Sequence, residues 1–377
     1  MSKLDELIRE LCPNGVEFKF LGDVSINKDS LRKPITSDKR VAGDYPYYGA
    51  SGIVDYINEY IFDGDYLLVS EDGANLLSRN TPIAFSISGK NWVNNHAHVL
   101  EFNTEAERKF IEYYLNSINL EPYISGSAQP KLNQKNLNII RVPAPPLEVQ
   151  QEIVRLLDDF TAKTAELQNK IHEELEARKK QYEYQKEKLL THNNDAITYT
   201  ISELCSVSAG GDAPKNAMSK EITKEYTIPI ISNGVRENAI YGYTNKARIC
   251  EPAVTLAARG TIGYAEYRDY PYVPIIRLLN LIPKNTQVLD TKYLYYCLTD
   301  KKYTLPTTGI PQLTAPMVKK IEISVPKIEI QKEIVKILDE YNIFYRDLQD
   351  NLNNEIESRQ KQYEFYRDKL LTFKELK

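Results

Sequence analysis

Long hydrophobic runs are missing from this sequence. No apolar stretch is long enough to span a membrane, and the first residues, MSKLDELIRELCPNG, carry charges where a signal peptide needs an apolar core. We therefore expect a cytoplasmic protein with no membrane partner. Cysteine is also scarce, and its four positions lack the CxxC spacing that would indicate a zinc site or a disulfide framework. Buried structural thiols are expected at Cys12, Cys205, Cys250 and Cys297.

Motifs for nucleotide and methyl-donor chemistry are missing too. There is no P-loop of the form GxxxxGKS or GxxxxGKT, so ATP binding has no support. An adenine-N6 methyltransferase needs Asn/Asp-Pro-Pro-Tyr/Phe and a glycine-bearing loop, which APPL at 144–147 and GTIG at 260–263 do not supply. His96 and His98 alternate like one face of a strand, and a structural or DNA-facing role is favoured there over a metal pair. We expect no catalytic residue, no cofactor and no metal site.

A strong excess of positive charge is also absent. Residues 1–140 contain 14 basic and 19 acidic side chains, whereas residues 195–321 contain 15 basic and 11 acidic ones. A domain that binds DNA alone usually carries a clear basic excess. Neither segment is therefore expected to hold DNA without help, and the difference in charge indicates separate roles.

The sequence instead contains a long internal repeat. LEVQQEIVRLLDDF at 147–160 returns 181 residues later as IEIQKEIVKILDEY at 328–341. The same offset pairs EARKKQYEYQKEKLLT at 176–191 with ESRQKQYEFYRDKLLT at 357–372. The chain is therefore interpreted as a tandem duplication, with a period too long for a solenoid.

The repeated segments have the pattern of long helices. Apolar residues recur at spacings of three and four, and prolines occur just before each segment but not inside it. Each helix is expected to be about 40 to 45 residues long, and a helix with one apolar stripe needs a partner. We expect the two copies to pair as an antiparallel coiled coil inside one chain, although pairing between separate chains is also compatible with the spacing.

The segments before the helices are predicted to be mainly β. Short apolar runs alternate there with Gly, Asn, Asp and Pro; they are YLLVS (66–70), TPIAFSIS (81–88), AHVLEF (97–102), TIPIIS (227–232) and PIIRLLNLI (274–282). Two weak echoes join the copies: YPYYGASGI (45–53) resembles IPIISNGV (228–235), and EYYLNS (112–117) resembles LYYCLT (294–299). Similar helices on diverged domains indicate two different targets and one shared type of partner.

Four regions strongly resemble the specificity subunit of type I restriction-modification enzymes. They are SGSAQPKLNQKNLNIIRVPAPPLEVQQEIVRLLDDF (125–160), TTGIPQLTAPMVKKIEISVPKIEIQKEIVKILDEY (307–341) and the two RKKQYEYQKEKLLT-like tails. The resemblance covers essentially the whole chain. It implies an α+β fold in which two mainly β target-recognition domains are joined by two long helices in an antiparallel coiled coil with a pseudo-two-fold repeat. The implied segments are 1–146 and 195–327 for the domains, and 147–194 and 328–377 for the helices.

The resemblance also implies a non-catalytic DNA reader. In that family each recognition domain reads half of a split target in double-stranded DNA, the paired helices set the gap, and two modification subunits dock around them. A restriction subunit with nuclease and translocation activities can join this core. The competing hypothesis is a coiled-coil scaffold that binds only proteins and reads no DNA.

Candidate DNA-binding residues are the polar and basic side chains of predicted loops, because such groups contact base edges and phosphates. In the first domain they are Lys28, Arg32, Lys33, Lys39, Arg40, Ser51, Asn75, Arg79, Lys90, Asn91, Asn94, Asn95, Gln129 and Lys131. In the second domain they are Lys215, Asn216, Lys220, Asn233, Arg236, Asn238, Tyr241, Arg259, Thr261 and Gln312.

Candidate partner-binding residues are the acidic positions shared by the two helix starts. They are Glu148, Glu152 and Asp158 in the first copy, and Glu329, Glu333 and Asp339 in the second. A simpler role, in which the glutamates favour the positive end of each helix dipole, is equally compatible with their positions.

Overall fold

The computed structural model describes residues 2–73, 75–126, 129–191, 195–305 and 311–376. These residues form two compact units. Unit 1 comprises Met1–Ile171 with Leu352–Lys377, and unit 2 comprises His172–Asn351. Each unit therefore contains one mainly β domain, the first part of one long helix and the last part of the other.

Most elements follow the same order in both halves of the chain. The first half contains α1 (Lys3–Leu11), β1 (Phe18–Phe20), α2 (Leu21–Val24), β2 (Ile26–Asn27), β3 (Ala42–Gly49), β4 (Gly52–Ile57), β5 (Phe62–Asp63), β6 (Tyr66–Ser70), α3 (Asn75–Ser78), β7 (Ala84–Ile87), β8 (Lys90–Val93), β9 (Ala97–Glu101), α4 (Glu105–Ser117), α5 (Gln134–Asn138), β10 (Arg141–Pro143) and α6 (Leu147–Thr191). The second half contains β11 (Ile197–Thr200), α7 (Ile201–Leu204), β12 (Cys205–Ala209), β13 (Met218–Ser219), β14 (Ile228–Ile231), β15 (Ile240–Thr244), β16 (Ala253–Leu256), β17 (Ala265–Arg268), β18 (Val273–Pro274), β19 (Leu279–Pro283), α8 (Thr291–Leu298), α9 (Ala315–Lys319), β20 (Glu322–Val325) and α10 (Ile328–Leu371).

The sheets of the two domains share most of their topology, although β5 lies beside β8 in the first domain and β13 lies beside β15 in the second. In unit 1 the strand orders are β2-β9-β6-β7, β4-β3-β8-β5 and β1-β10; in unit 2 they are β12-β19-β16-β17, β13-β15-β14-β18 and β11-β20. Each domain has one parallel pair among its antiparallel ladders, β3 with β8 in the first and β14 with β18 in the second. The echo between residues 45–53 and 228–235 falls on β3 and β14, so it marks equivalent strands. The α+β class and the internal repeat are confirmed.

Four of the five β-rich runs contain one strand each, and the fifth, 274–282, contains parts of two strands. That stretch contains the end of β18 and most of β19, which belong to different sheets. Between them Ile276 and Arg277 adopt φ values of 52° and 61°. A left-handed conformation is unfavourable for a β-branched residue, so a turn at this place is invisible in an apolar run.

Both long helices begin in the same way because of one repeated glutamine. Gln150 Nε2 donates to the Pro145 carbonyl at 2.8 Å, and Gln331 Nε2 donates to the Pro326 carbonyl at 2.7 Å. Each glutamine thus ties the first turn of its helix to the carbonyl of the proline that lies two residues before the helix start. The helices contain 45 and 44 residues, as their pattern predicts.

The helices pair antiparallel inside the chain. In unit 1 the ring of Phe160 lies 5.6 Å from that of Tyr363, and in unit 2 the ring of Tyr182 lies 6.3 Å from that of Tyr341. The repeat relates Phe160 to Tyr341 and Tyr182 to Tyr363, so the two contacts are the same contact made twice. This confirms the intramolecular coiled coil with a repeated pairing.

The cores are apolar, and the free cysteines are only partly in them. Cys12 and Cys205 are buried and Cys297 is partly buried, whereas Cys250 is exposed, so the expectation of a buried thiol is wrong there. Cys250 directly follows buried Ile249 at the surface end of a short bridge to Tyr272. Among the helices in the described part of the chain, none is long and apolar enough to cross a membrane.

Candidate nucleic-acid interface

Four separate segments of the first domain meet at the ends of its strands. We call them loop cluster 1, and they are residues 49–51, 71–73, 94–96 and 129–131. The hydroxyl of Ser70 donates to the Ala50 carbonyl, and the Glu71 amide donates to the His96 carbonyl at 2.9 Å. The ammonium of Lys131 lies 3.0 Å from Glu71. These contacts hold the loops together, with Glu71 and Asn94 buried and with exposed polar residues at Ser51, Asn95, His96, Gln129 and Lys131.

The second domain builds loop cluster 2 from the equivalent segments, which are residues 232–236, 258–261, 275–278 and 311–312. Asn233 is the centre of this cluster: its Nδ2 donates to the Ile276 carbonyl at 2.6 Å, and its Oδ1 accepts from the Ala258 amide at 2.8 Å. The Thr261 hydroxyl donates to the Asn233 carbonyl at 2.7 Å. One asparagine thus fixes three of the four segments.

The two clusters are equivalent by backbone geometry. The Leu132 amide donates to the Glu71 carbonyl at 2.8 Å, and the Leu313 amide donates to the Ala258 carbonyl at 2.9 Å. Asp72 therefore corresponds in position to Arg259. In the same way, the pairing of β9 with β6 and of β19 with β16 makes His96 the counterpart of Arg277. The backbone frame is therefore shared.

The side chains on that shared frame differ at three positions. Asp72, His96 and Lys131 in the first domain correspond to Arg259, Arg277 and Gln312 in the second. In the first domain the ring nitrogen Nδ1 of His96 lies 2.8 Å from Asp72. In the second, Nε and Nη2 of Arg259 donate to Oε1 of Gln312 at 3.1 and 2.9 Å. Each cluster thus presents a different, internally braced set of donors and acceptors.

Behind loop cluster 1 lies a buried ionic network. The guanidinium of Arg32 lies 2.6 Å from Glu71 and 3.3 Å from Asp29, and all three side chains are largely buried. Fully buried His98 contacts Asp29 Oδ2 at 2.6 Å through Nδ1 and the Leu132 carbonyl at 2.7 Å through Nε2. Both ring nitrogens face acceptors, so both contacts are satisfied only when each carries a hydrogen.

The network keeps its carboxylates charged. Burial alone would raise the pKa of Asp29, but hydrogen bonds from His98 and the Val99 amide and the charge of Arg32 bring it below its usual value. Burial opposes ionisation of Glu71 in the same way, and the bonds from Arg32 and Lys131 lower its pKa. These residues hold the loop frame rather than face a ligand.

The structure sorts the predicted DNA-binding residues into three groups. Those in the loop clusters are Ser51, Asn94, Asn95, Gln129, Lys131, Asn233, Arg236, Arg259, Thr261 and Gln312. Exposed residues elsewhere in the domains are Lys33, Lys39, Lys90, Lys215, Asn216, Lys220, Asn238 and Tyr241. Lys28 belongs with them but is only partly exposed and lies 2.8 Å from Glu101. Side chains that bond mainly within the fold are Arg32, Arg40, Asn75, Arg79 and Asn91.

Residue type alone did not reveal the internal roles of that last group. Arg79 Nη2, for example, donates to the Ile118 carbonyl at 2.7 Å just beyond the end of α4. Conversely, Asp72 and Arg277 were not predicted, and His96 was considered only with its neighbour. The signal that could have found all three is their equivalence between the repeats, which becomes visible only when the strands are aligned.

Two of the predicted partner-binding residues are tethers inside their own units. Asp158 accepts from Lys109 and from the Tyr113 hydroxyl, each at 2.7 Å. Asp339 repeats this with Lys292 at 2.7 Å and Tyr296 at 2.5 Å. Burial and the adjacent carboxylate raise the pKa of both tyrosines. The two tethers therefore make Tyr113 and Tyr296 equivalent residues. This equivalence differs by one residue from the alignment of EYYLNS with LYYCLT.

The remaining partner-binding candidates are placed unequally. Glu152 is only 4% exposed, and its contacts to Arg155 and to Lys3 of α1 lower its pKa to about 2. Its counterpart Glu333 is exposed, and so are Glu148 and Glu329. Helix α1 therefore covers one of two equivalent surfaces and leaves the other open.

The histidines of the NNHAH stretch serve different functions. His98 is enclosed in the ionic network, while His96 is 50% exposed beside Asp72. Within the described residues, no group of three or more His, Cys, Asp or Glu side chains could hold a metal ion. The arrangement matches a structural role for His98 and a solvent-facing role for His96.

Removing the Asp339 tether should loosen α10 from the second domain. We expect Asp339→Ala to lower the free energy of unfolding by about 2 kcal/mol, because it deletes charge-assisted bonds to two partners. Urea denaturation of the full chain measures this. Asp347→Ala, an exposed position on the same helix, is the control and should change stability by less than about 0.5 kcal/mol. Equal stability of both variants would contradict the tether.

Comparison with known proteins agrees with this architecture. A family model described as the type I restriction modification DNA specificity domain matches the chain twice, over residues 13–177 and 193–358. The chain therefore belongs to the family of type I restriction-modification specificity subunits. The two matches correspond to the two repeats.

Relatives and solved structures cover most of the chain. A protein described as a type I restriction enzyme specificity subunit in Haemophilus influenzae is 35% identical over 95% of this chain and 96% of its own length. The specificity subunit of EcoR124I and EcoR124II in Escherichia coli is 29% identical over 70% of each chain. A chain from a study of complex assembly and conformational transition in a type I system aligns with a TM-score of 0.74 at 16% identity, over 95% of this chain and 98% of that one, which supports the fold.

Proposed function

We propose that this chain selects the DNA sequence on which a type I restriction-modification complex acts. Each recognition domain reads one half of a bipartite target in double-stranded DNA through its loop cluster, and α6 and α10 set the gap between the halves. Two modification subunits dock on the chain and carry out methyl transfer in the cytoplasm. The chain itself binds and positions DNA and performs no chemistry.

One observation carries this proposal. The backbone frame of the two loop clusters is the same, yet the three outward positions carry Asp, His and Lys in one domain and Arg, Arg and Gln in the other. A scaffold that binds only proteins through its helices has no need of two such surfaces. Base edges are distinguished by differing patterns of donors and acceptors, which is what the two clusters offer.

Docking of modification subunits around the DNA would also explain the weak overall charge of this chain. Phosphate contacts supply much of the affinity of a DNA complex but little of its sequence selectivity. If modification subunits enclose the duplex, the recognition domains need few phosphate contacts of their own. The nearly balanced charge of 48 basic and 52 acidic residues is then compatible with DNA reading.

A domain exchange tests independent reading. Replacing residues 14–142 with an unrelated recognition domain should change one half of the methylated motif and leave the other half unchanged, because each loop cluster is built within its own unit. Methylome sequencing of a strain carrying the chimera with its modification subunit measures this. A change in both halves would contradict the two-reader model, and no sequence-dependent DNA binding by the intact complex would favour the scaffold.

A second repeated surface is suited to docking two identical partners. In α6, Arg178 bonds to Glu174 at 2.8 Å and to Gln181 at 3.0 Å. In α10 the equivalent Arg359 makes the same two bonds at 2.8 and 2.9 Å. Near each of these arginines in sequence lies an aromatic side chain that is 63% exposed: Tyr184 in α6 and Phe365 in α10. Both copies of the repeat thus carry the same exposed surface, an arginine with its two bonds and an aromatic ring. We propose that each of these surfaces binds one modification subunit, together with the exposed acidic residues Glu148 and Glu329.

Removing both aromatic rings should prevent the assembly of two modification subunits with one specificity subunit. We expect Tyr184→Ala with Phe365→Ala to weaken binding of both copies, because exposed aromatic anchors often dominate an interface. Native mass spectrometry measures the stoichiometry. Phe344→Ala is a matched control, since Phe344 is 57% exposed on α10 but its counterpart in α6 is Lys163. Intact assembly in the double variant would refute this surface.

A further inference from the structure

We propose that Arg259 reads a guanine in the half-site bound by the second domain, and that Gln312 positions the guanidinium for this contact. The inference rests on the proposed function and adds a base to it. It follows from the orientation of one side chain within loop cluster 2.

The geometry leaves one edge of the guanidinium available. Gln312 Oε1 accepts from Nε at 3.1 Å and from Nη2 at 2.9 Å, which occupies the side edge of the planar group. The end edge, formed by Nη1–H and the second Nη2–H, contacts no other group among the described residues. Arg259 is half-buried, and its side edge is bonded to Gln312. The two parallel donors of the end edge are therefore left for a ligand.

Two parallel donors match one base edge in the major groove. Guanine presents O6 and N7 as adjacent acceptors, whereas adenine presents one acceptor beside a donor. A guanidinium braced in advance also loses less side-chain freedom on binding than a mobile arginine does. Among the four bases, the braced end edge of Arg259 is therefore suited to guanine.

The backbone around Arg259 is held in place by the rest of the cluster. Ala258 donates its amide to Asn233, and Thr261 donates its hydroxyl to the carbonyl of the same residue. Gln312 is followed by Leu313, which is buried and bonded to the Ala258 carbonyl. The arginine and its positioning residue therefore come from two segments that are locked together.

The equivalent positions of the first domain exclude the same contact there. Asp72 stands where Arg259 stands, and Lys131 stands where Gln312 stands. A carboxylate cannot donate to O6 or N7, so Asp72 cannot make the contact that is assigned to Arg259. This gives an internal control for every variant of Arg259.

Methylome sequencing gives the first test, in a strain carrying the full chain with its modification subunit. The second half-site is the half that survives exchange of residues 14–142. We expect it to contain a fully specified G·C pair, and Arg259→Lys should relax that pair alone, because an ammonium on a flexible stem lacks the planar pair of donors that Gln312 holds in place. Asp72→Asn should alter only the other half-site. A second half-site without a specified G·C pair would overturn the assignment.

Binding of modified DNA gives the second test and does not depend on tolerance of a substitution. In duplexes carrying the wild-type motif, 7-deazaguanine replaces the guanine and removes only its N7 acceptor. We expect the wild-type complex to bind this duplex on the order of tenfold more weakly. The Arg259→Ala complex should bind both duplexes equally, and Gln312→Ala should show an intermediate difference. An equal loss for wild type and Arg259→Ala would refute the contact.

The outcomes separate this inference from the proposed function. A wild-type complex that methylates no two-part motif would refute the function itself. A two-part motif whose second half is unaffected by Arg259→Lys and by 7-deazaguanine would refute only the role of Arg259. Unfolding temperatures of the variants show whether a loss of binding reflects a loss of folding.

Discussion

Replacing Arg32 by methionine is expected to lower the stability of the first recognition domain by about 3 to 5 kcal/mol, since it removes the guanidinium that two buried carboxylates share. Arg32 is 13% exposed, and it lies within 3.3 Å of both Asp29 and Glu71, whose side chains are 6% and 10% exposed. Urea denaturation followed by hydrogen exchange in β6 and β9 measures the effect and locates it.

The control for Arg32 is another basic residue of the same segment. Lys39 is exposed, and Lys39→Met should change the unfolding free energy by less than about 0.5 kcal/mol. Both residues were predicted to bind DNA, so the pair separates the two roles. If Arg32→Met retained full stability but lost DNA binding, Arg32 would be a DNA contact after all.

The same network gives the first domain a defined response to acid. The pKa values of Asp29 and Glu71 are lower in the fold than their usual values. A lowered pKa means that the unfolded chain binds protons first, so the stabilisation is present above the unfolded values of about 3.9 and 4.3 and is lost as pH falls through the folded ones. We expect the first domain to lose stability below about pH 4, and Arg32→Met to weaken this dependence, measured by thermal unfolding across pH.

The helices were predictable because their pattern is local. An apolar residue every three or four positions and a proline before each start are enough to define α6 and α10, and the repeat identifies the partner. Pairing of Phe160 with Tyr363 then follows from the antiparallel arrangement. Nothing in this reasoning requires knowledge of distant contacts.

The loop clusters were not predictable in the same way, because the sequence separation between equivalent residues is not constant inside the domains. Phe160 and its counterpart Tyr341 are 181 residues apart. Glu71 and its counterpart Ala258, which are matched by equivalent backbone bonds, have a different separation, and so do Tyr113 and its counterpart Tyr296, which are matched by the equivalent tethers. Insertions between strands shift the offset, so a fixed alignment compares unrelated loop residues. Only the sheet register shows that Asp72 and Arg259 occupy one position.

Polar residue type also failed to separate internal from external roles. Asn91 is fully buried and donates to the Gly89 carbonyl at 2.8 Å, whereas nearby Asn95 is exposed. Both belong to the same short stretch and have the same chemistry. In β8 residues 91–93 are all buried without alternation, and Asn95 lies in the turn that follows, so no period-2 pattern in the sequence separates the two asparagines.

Lengthening both long helices by four residues is expected to widen the gap between the two half-sites while leaving their bases unchanged. The insertion sites are 161–170 in α6 and the equivalent 342–351 in α10. They lie between the contacts Phe160–Tyr363 and Tyr182–Tyr341, so both contacts survive when both helices are lengthened together. An insertion in one helix alone would break the match between them.

The size of the change follows from helix geometry. Four residues add about 6 Å and turn the helix by about 400°, which leaves only about 40° of net rotation, so the apolar stripe continues. Because B-DNA rises about 3.4 Å per base pair, the gap should grow by about one or two base pairs. Methylome sequencing of the doubly lengthened variant reads the gap and the half-sites in one experiment.

A one-residue insertion at the same two places is the matched control. It adds only about 1.5 Å but turns each helix by about 100°, which moves the apolar stripe away from its partner. This variant should lose stability and assembly rather than shift the gap. If the four-residue variant instead kept the original gap, or if its half-site bases changed, the helices would not set the spacing, and the distance between half-sites would have to come from the docked subunits.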